Sequence, residues 1–246
     1  MDWVTGFYSR TGRWWGPGAR VDDRDRERVA LLHEHAGAGP GSVLELGSGY
    51  GTTAVATALA GHTVTAVEIS DRVAFGAELA AGLPPGRLTV HNESFYTVRL
   101  GEQYDAVTYW NGFGVGSDAD QRRLLTLVAG WLRPGATALI DVFNPLVWAS
   151  WHGQHDQRLP DPARGYHFEV RQLTVFDPVT STATDTWWQA DRPDERISQV
   201  LRCYSPADLE LLLEGTGLRL AAIDDRGRDM RTQAYEYLAV LRHTPG

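Results

Sequence analysis

Lysine is absent from the chain: all 23 basic residues among the 246 are arginines, and 31 acids outnumber them to a net charge of −8. The arginines lie among the acids, as in "RVDDRDRERV", so there is no basic stripe to track a phosphate backbone, and no nucleic-acid partner is expected. Cysteine occurs once, at Cys203 within "ISQVLRCY". No intrachain disulfide can form, which suits a reducing compartment, and a buried thiol is the expected role. Long apolar runs are also missing. The N-terminal "MDWVTGFYSR" carries no basic lead before an apolar block, and no stretch reaches the roughly 18 apolar residues of a membrane span. These absences predict a cytoplasmic protein with no membrane partner. No internal repeat or low-complexity segment stands out.

The length fits one large α/β domain or a core with an added subdomain. Between residues 43 and 142, short β-rich runs alternate with helical stretches: "SVLEL" then "TTAVATALA", "TVTAVEI" then "DRVAFGAELAAGL", "RLTVH", "YDAVTYW" then "DADQRRLLTLVAGWL", and "ATALIDVF". Nearly continuous apolar strands separated by helices predict a doubly wound, mostly parallel α/β sheet covered on both faces. Asp71 and Asp118 are candidate helix caps, and "RPG" at 133–135 ends the fourth helix. Residues 145–204 instead alternate in period two, with turns at "DPVTST" and "DRPDER", and predict an antiparallel insertion. Ser205 and Pro206 then open a closing helix, followed by two strands that bring the sheet to seven. The expected parts are therefore an aromatic N-terminal segment and helix (1–36), an α/β core (37–144), the β insertion (145–204) and a closing helix with two strands (205–246).

The bend "VLELGSGYGTT", Val43 to Thr53, puts Gly47, Gly49 and Gly51 directly behind the first strand. Backbone approaches a ligand closely only where side chains are missing, so these glycines describe a floor. A dinucleotide would want glycine or alanine at the third fingerprint position, which here is Thr52.

With Glu45 inside the strand, "VLELGSGYG" resembles the first motif of class I S-adenosylmethionine-dependent methyltransferases, an apolar run, an acid and G-x-G-x-G. The likeness spans about residues 40–142. It implies that Glu45 organises the bend and the methionine end of the ligand, above Gly47, Ser48, Gly49 and Gly51. Glu68, 21 residues after Gly47, holds the position of the acid that takes the ribose hydroxyls, and Ile69 that of the residue against adenine. The chemistry agrees, because a carboxylate accepts hydroxyl hydrogens and repels phosphate. After the third strand, the family's adenine-binding Asp falls on Ser94, a departure, with Glu93 before it and Phe95 after it. In "YWNGFGVG", Asn111 and Gly112 take the place of neighbours of the sulfonium.

The small-molecule branch that the chain resembles, that of antibiotic and amino-sugar biosynthesis, folds an aromatic N-terminal segment over the cofactor. This makes Tyr8, Trp14, Trp15 and Phe113 a candidate pocket wall. His152, near His155, is the candidate base, and Asn144, at the tip of the fifth strand beside Asp141, the candidate acceptor-orienting group. No metal site is expected, since the histidine pair lacks a third ligand. The resulting expectation is methyl transfer to a small-molecule acceptor by direct in-line displacement, first to an amine nitrogen, with oxygen as the alternative. A nicotinamide-dependent oxidoreductase and a non-catalytic binding module are the remaining readings. An exposed edge or aromatic face of the insertion is a candidate for homo-oligomer formation.

Overall fold

The computed structural model describes residues 2–15 and 19–244. Of the N-terminal and closing segments bounded above, residues 1, 16–18, 245 and 246 lie outside the described residues.

Two helices, α1 (Asp2–Trp15) and α2 (Asp23–Ala36), lead into the alternating core. The start of α2 is fixed by a reciprocal capping box: the Asp22 carboxylate accepts the N–H groups of Arg24 and Asp25, and Asp25 accepts that of Asp22. The core then runs β1 (Ser42–Leu46), α3 (Thr52–Leu59), β2 (Thr63–Val67), α4 (Val73–Ala80), β3 (Leu88–His91), β4 (Tyr104–Phe113), α5 (Asp118–Trp131) and β5 (Leu132–Phe143). Beyond it lie α6 (Pro145–Ser150), β6 (His155–Arg158), a short 3-10 turn (Pro162–Arg164), β7 (Val170–Asp177), β8 (Thr182–Gln189) and β9 (Ile197–Arg202). The chain closes with α7 (Pro206–Leu213), β10 (Leu218–Asp224) and β11 (Glu236–His243).

The main sheet has seven strands in the order β10-β11-β5-β4-β1-β2-β3, a doubly wound arrangement. β1 to β5 pair in parallel, and β11 runs antiparallel to both β5 and β10. Strands covered on both faces need apolar side chains on both, which is why Leu44, Leu46, Val67, Val107 and Leu139 are all fully buried. The strand order reverses at β1, with β2 on one side and β4 on the other. Ligands of open α/β sheets sit at such a switch point, beyond the carboxyl ends of the strands.

The insertion is a four-stranded antiparallel sheet, β6-β7-β8-β9. Its first strand was not legible in the sequence: "HDQR" is exposed at every position and has no alternation, so only its pairing with β7 makes it a strand. Two helix starts also differ from expectation. Asp71 does not cap α4, because its carboxylate instead pairs with Arg13 of α1 at 2.8 Å. Asp118 is the first residue of α5, and Ser117 is the cap, in a box with Asp120. Ser205 caps α7 with Pro206 at its first position. Among the described residues, no helix is long and apolar enough to cross a membrane.

Candidate functional site

The three glycines after β1 all take left-handed backbone, with φ of 57° at Gly47, 56° at Gly49 and 74° at Gly51. Their reasons differ. A Cβ on Gly47 would meet the Tyr109 ring at 2.9 Å, whereas one on Gly49 would meet nothing within 4 Å. Gly49 therefore borders open space, and Gly51 supplies the backbone turn into α3.

Above this floor lies a cavity of about 410 Å3, inside the range of roughly 300–1,000 Å3 typical of small-molecule sites. Its wall includes Glu45, Gly47, Ser48 and Gly49 from the bend, and Glu68 and Ile69 from the end of β2. Ser94 and Phe95 join after β3, Asn111 and Gly112 at the end of β4, and Tyr8 from α1. These positions are scattered over a hundred residues of chain. Strand register collects them: Glu45 stands beside Ala66 on β2 and Thr108 on β4, so the following residues of all three strands emerge at one edge.

The Glu68 carboxylate is held from below. Gly49 N–H donates to Oε2 at 2.8 Å, and Ser70 donates to Oε1 through its N–H at 2.8 Å and its hydroxyl at 2.5 Å. A carboxylate oxygen has two lone pairs, so acceptor capacity remains toward the cavity. Glu45 is buried, and burial pushes its carboxyl up to about 8, against the pull of the Arg28 guanidinium and the Ala54 backbone amide. Burial likewise pushes the Tyr8 phenol up to about 12, against the pull of Arg72.

Sequence reasoning missed the arginines. Arg24 and Arg28, one turn apart on α2, line the cavity and reach a buried charge cluster beneath it. Arg24 bonds Glu236 at 3.1 Å, Arg28 lies 3.7 Å from Asp141, and Arg226 bonds both acids. Asp141 also accepts the N–H of Asn111 at 3.1 Å, bracing a residue whose φ of 52° is unusual for a non-glycine. Burial and Glu236 push Asp141 up to about 7 while three arginines pull it down. Arg28 lies against the Trp110 ring and donates to the Thr53 hydroxyl, yet its Nε is buried without a partner. The spacing of Arg24 and Arg28 was visible; that this face of α2 turns inward was not. Tyr109 was missed as well. Its ring fills the space that Cβ atoms on Gly47 and Gly112 would occupy, and its hydroxyl donates to Gly112 O at 2.7 Å.

Several expected site residues stand elsewhere. Asn144 is a structural cap: it accepts Leu146 N–H and donates to the carbonyls of Met230 and Ala234, with nothing directed at the cavity. His152 belongs to the junction of α6 and β7, its Nδ1 3.0 Å from Phe176 O. Phe113 is fully buried against Tyr204, because the register of β4 turns its ring into the core. Trp15 and the buried Trp14 pack edge to face, and Trp15 meets Trp187 of β8 at 4.9 Å, outside the cavity wall. Gly51 lies outside that wall too, and Glu93 faces His91 at 3.7 Å while Ser94 takes the wall position.

α1 is fastened over this region from two sides. Tyr8 bonds Gln199 of β9 at 3.2 Å, and Arg10 bonds Glu195 at 2.6 Å. From the core side, Arg72 donates to Tyr8 O and the Thr11 hydroxyl, and the Tyr50 hydroxyl donates to Gly12 O.

Among solved structures, the chain is similar to the CcbJ methyltransferase from Streptomyces caelestis, with 23% identity, a TM-score of 0.73 and 91% of each chain covered. It is also similar to CalS10, an amino pentose methyltransferase from Micromonospora echinaspora solved with S-adenosylmethionine bound (16% identity, TM-score 0.63, 92% of this chain and 93% of that one). A third is the sugar N-methyltransferase KedS8 from a Streptoalloteichus species, at 18% identity and a TM-score of 0.64, covering 92% of this chain and 89% of that one. Compared by sequence with curated proteins, the chain matches none. The family model described as a methyltransferase domain matches residues 22–223, which include the glycine bend, both carboxylates and the insertion. The chain therefore belongs to the methyltransferase domain family, whose class I members draw their methyl group from S-adenosylmethionine.

Proposed function

We propose that the protein methylates an amine nitrogen of a small-molecule acceptor by direct in-line displacement, with S-adenosylmethionine as donor. The observation that carries this reading is the pair Glu45, on β1, and Glu68, just after the adjacent β2, facing one cavity across a glycine floor. The residues fit that cofactor. Glu68 keeps an acceptor lone pair on Oε2 for a ribose hydroxyl and would repel a pyrophosphate. Open space above Gly49 admits a flat ligand, and the orphaned Nε of Arg28 offers a donor suited to an amino-acid carboxylate. Ile69 and Phe95 would flank the adenine, with Ser94 as its polar neighbour.

When bound, the sulfonium supplies a methyl group that is already activated. The chain's own task is then to hold the acceptor in line and exclude water. Tyr8, Tyr109 and Trp110 present aromatic surface to the cavity, which favours a positive centre. α1 and the insertion would serve as the cover over the acceptor, joined through Tyr8 and Gln199. No histidine is among the described residues of the cavity wall, and a neutral amine needs no strong base, which supports nitrogen over oxygen. CalS10, an amino pentose methyltransferase, and the sugar N-methyltransferase KedS8 share the fold and lend the same support.

The test is turnover on matched pairs of small amino and hydroxy sugars, read by mass spectrometry, beside calorimetric titration with S-adenosylmethionine and NADH. Transfer to the amino member alone, with heat only for S-adenosylmethionine, is expected. Transfer only to the hydroxyl member would overturn the nitrogen assignment, and absence of heat would overturn the cofactor.

A further inference from the structure

A second cavity, of about 290 Å3, opens where β6 runs into the 3-10 turn, lined by Arg158, Leu159, Asp161, Arg164 and Tyr166. Its loop is tightly built. Asp161 and Tyr166 exchange both backbone hydrogen bonds at 2.8 and 2.9 Å, Arg164 N–H bonds Asp161 O, and Gly165, with φ of 75°, turns the chain back. Each guanidinium lies over an aromatic ring, Arg158 over Trp15 at 4.8 Å and Arg164 over Tyr166 at 5.2 Å. Stacking fixes the plane of a guanidinium and leaves its N–H edge unpaired. Among the described residues, no carboxylate lies within 4.0 Å of either one, although ten other arginines of this acidic chain have found one.

The second cavity neighbours the first. Tyr50, in the wall of the larger cavity, donates its hydroxyl to Gly12 O near the end of α1, and Arg158, in the wall of the second, lies over Trp15 of the same helix end. An acceptor with its nucleophile in the first cavity would extend past this end of α1 to reach the second. We propose that the second cavity binds an anionic group of the acceptor, a phosphate or a carboxylate, held by Arg158 and Arg164 with Tyr166 as a further donor. Planar, pre-oriented guanidiniums suit the oxygens of either group, and a net charge of −8 makes such a local attraction necessary for a negative substrate. Asp161, on the same wall, opposes the anion and keeps the site weak until the acceptor's other end is engaged. The inference rests on the methyl-transfer reading for the position of the nucleophile.

The experiment is calorimetric titration of the full chain, saturated with S-adenosylhomocysteine, with inorganic phosphate, pyrophosphate and succinate at low ionic strength. One saturable site is expected. R158Q and R164Q should each weaken it about tenfold, D161N should tighten it, and R133Q, whose arginine pairs with Asp105 elsewhere, should leave it unchanged. Tightest binding of the phosphates assigns a phosphorylated acceptor, and tightest binding of succinate an acidic one. Absence of saturable binding, or binding indifferent to R158Q and R164Q, overturns the inference. Titration with S-adenosylhomocysteine separates the two failures: cofactor product bound without anion refutes this site alone, and no cofactor product bound refutes the methyl-transfer reading.

Discussion

The backbone N–H of Gly49 donates to Glu68 Oε2 at 2.8 Å, so the floor after β1 and the acid after β2 form one unit before any ligand arrives. Preorganisation of this kind reduces the ordering that binding must otherwise supply. It also means that the acid does two jobs, bracing the bend and offering its remaining lone pair to the cavity.

Glu68→Gln should separate those jobs. The amide keeps the shape but places an NH2 group against one of the donors from Gly49 or Ser70. Cofactor affinity is expected to fall at least tenfold, about 1.4 kcal/mol, with a loss of about 1–2 kcal/mol in unfolding free energy. Titration calorimetry and urea denaturation measure the two; unchanged affinity would remove Glu68 from the site.

Two glycine variants distinguish backbone strain from steric blockage. Gly47→Ala meets both a left-handed backbone and the Tyr109 ring at 2.9 Å, so it should be less stable than Gly49→Ala, which meets only the backbone cost of about 1–2 kcal/mol. Gly49→Arg should eliminate cofactor binding by filling the open space above the floor. Thermal melts and calorimetry on the three proteins give the order.

The pH dependence of stability has a sign set by Glu45. Burial holds this carboxyl up at about 8, well above its ordinary 4.5, so the folded chain keeps a proton that the unfolded chain releases. That contribution is complete below about 4.5 and is lost as pH rises through about 8. Glu45→Gln carries no such proton and should gain stability relative to the parent protein across that window. Paired urea titrations at several pH values read the difference; a flat difference curve would place Glu45 in a far less desolvated setting.

The buried cluster of Asp141, Glu236 and Arg226 predicts a large effect from one substitution. Arg226→Met removes the group that bonds both acids, leaving Glu236 with an Oε2 that already lacks a partner. A loss of about 3–5 kcal/mol in unfolding free energy is expected. Asn144→Ala, by contrast, should cost about 2 kcal/mol through the lost cap and its two carbonyl partners while cofactor affinity stays unchanged.

The floor and both carboxylates were legible because each depends on local rules. Glycine is the residue that tolerates φ near 57° beside a ring, and an acid at the end of a strand is visible in the order of residues. The alternation of apolar runs with helices likewise announced the parallel sheet. Arg28 was missed, and Asn144 misplaced, for the opposite reason. "RVDDRDRERV" looks solvated in one dimension, and only packing of α2 on β4 and β5 turns Arg28 over Trp110. Asn144 follows a strand that reaches the ligand edge, yet its side chain folds back to serve the loop before β11.

Residue order alone determined the strand-bend-helix unit, its pair of acids and the seven-stranded framework, since backbone sterics and apolar periodicity act over a few residues. Tertiary packing decided which aromatics face the cavity, which arginines sit beneath it and that Arg158 and Arg164 share a second opening. Those choices depend on long-range register and on the desolvation of charge, quantities that no local stretch of sequence encodes.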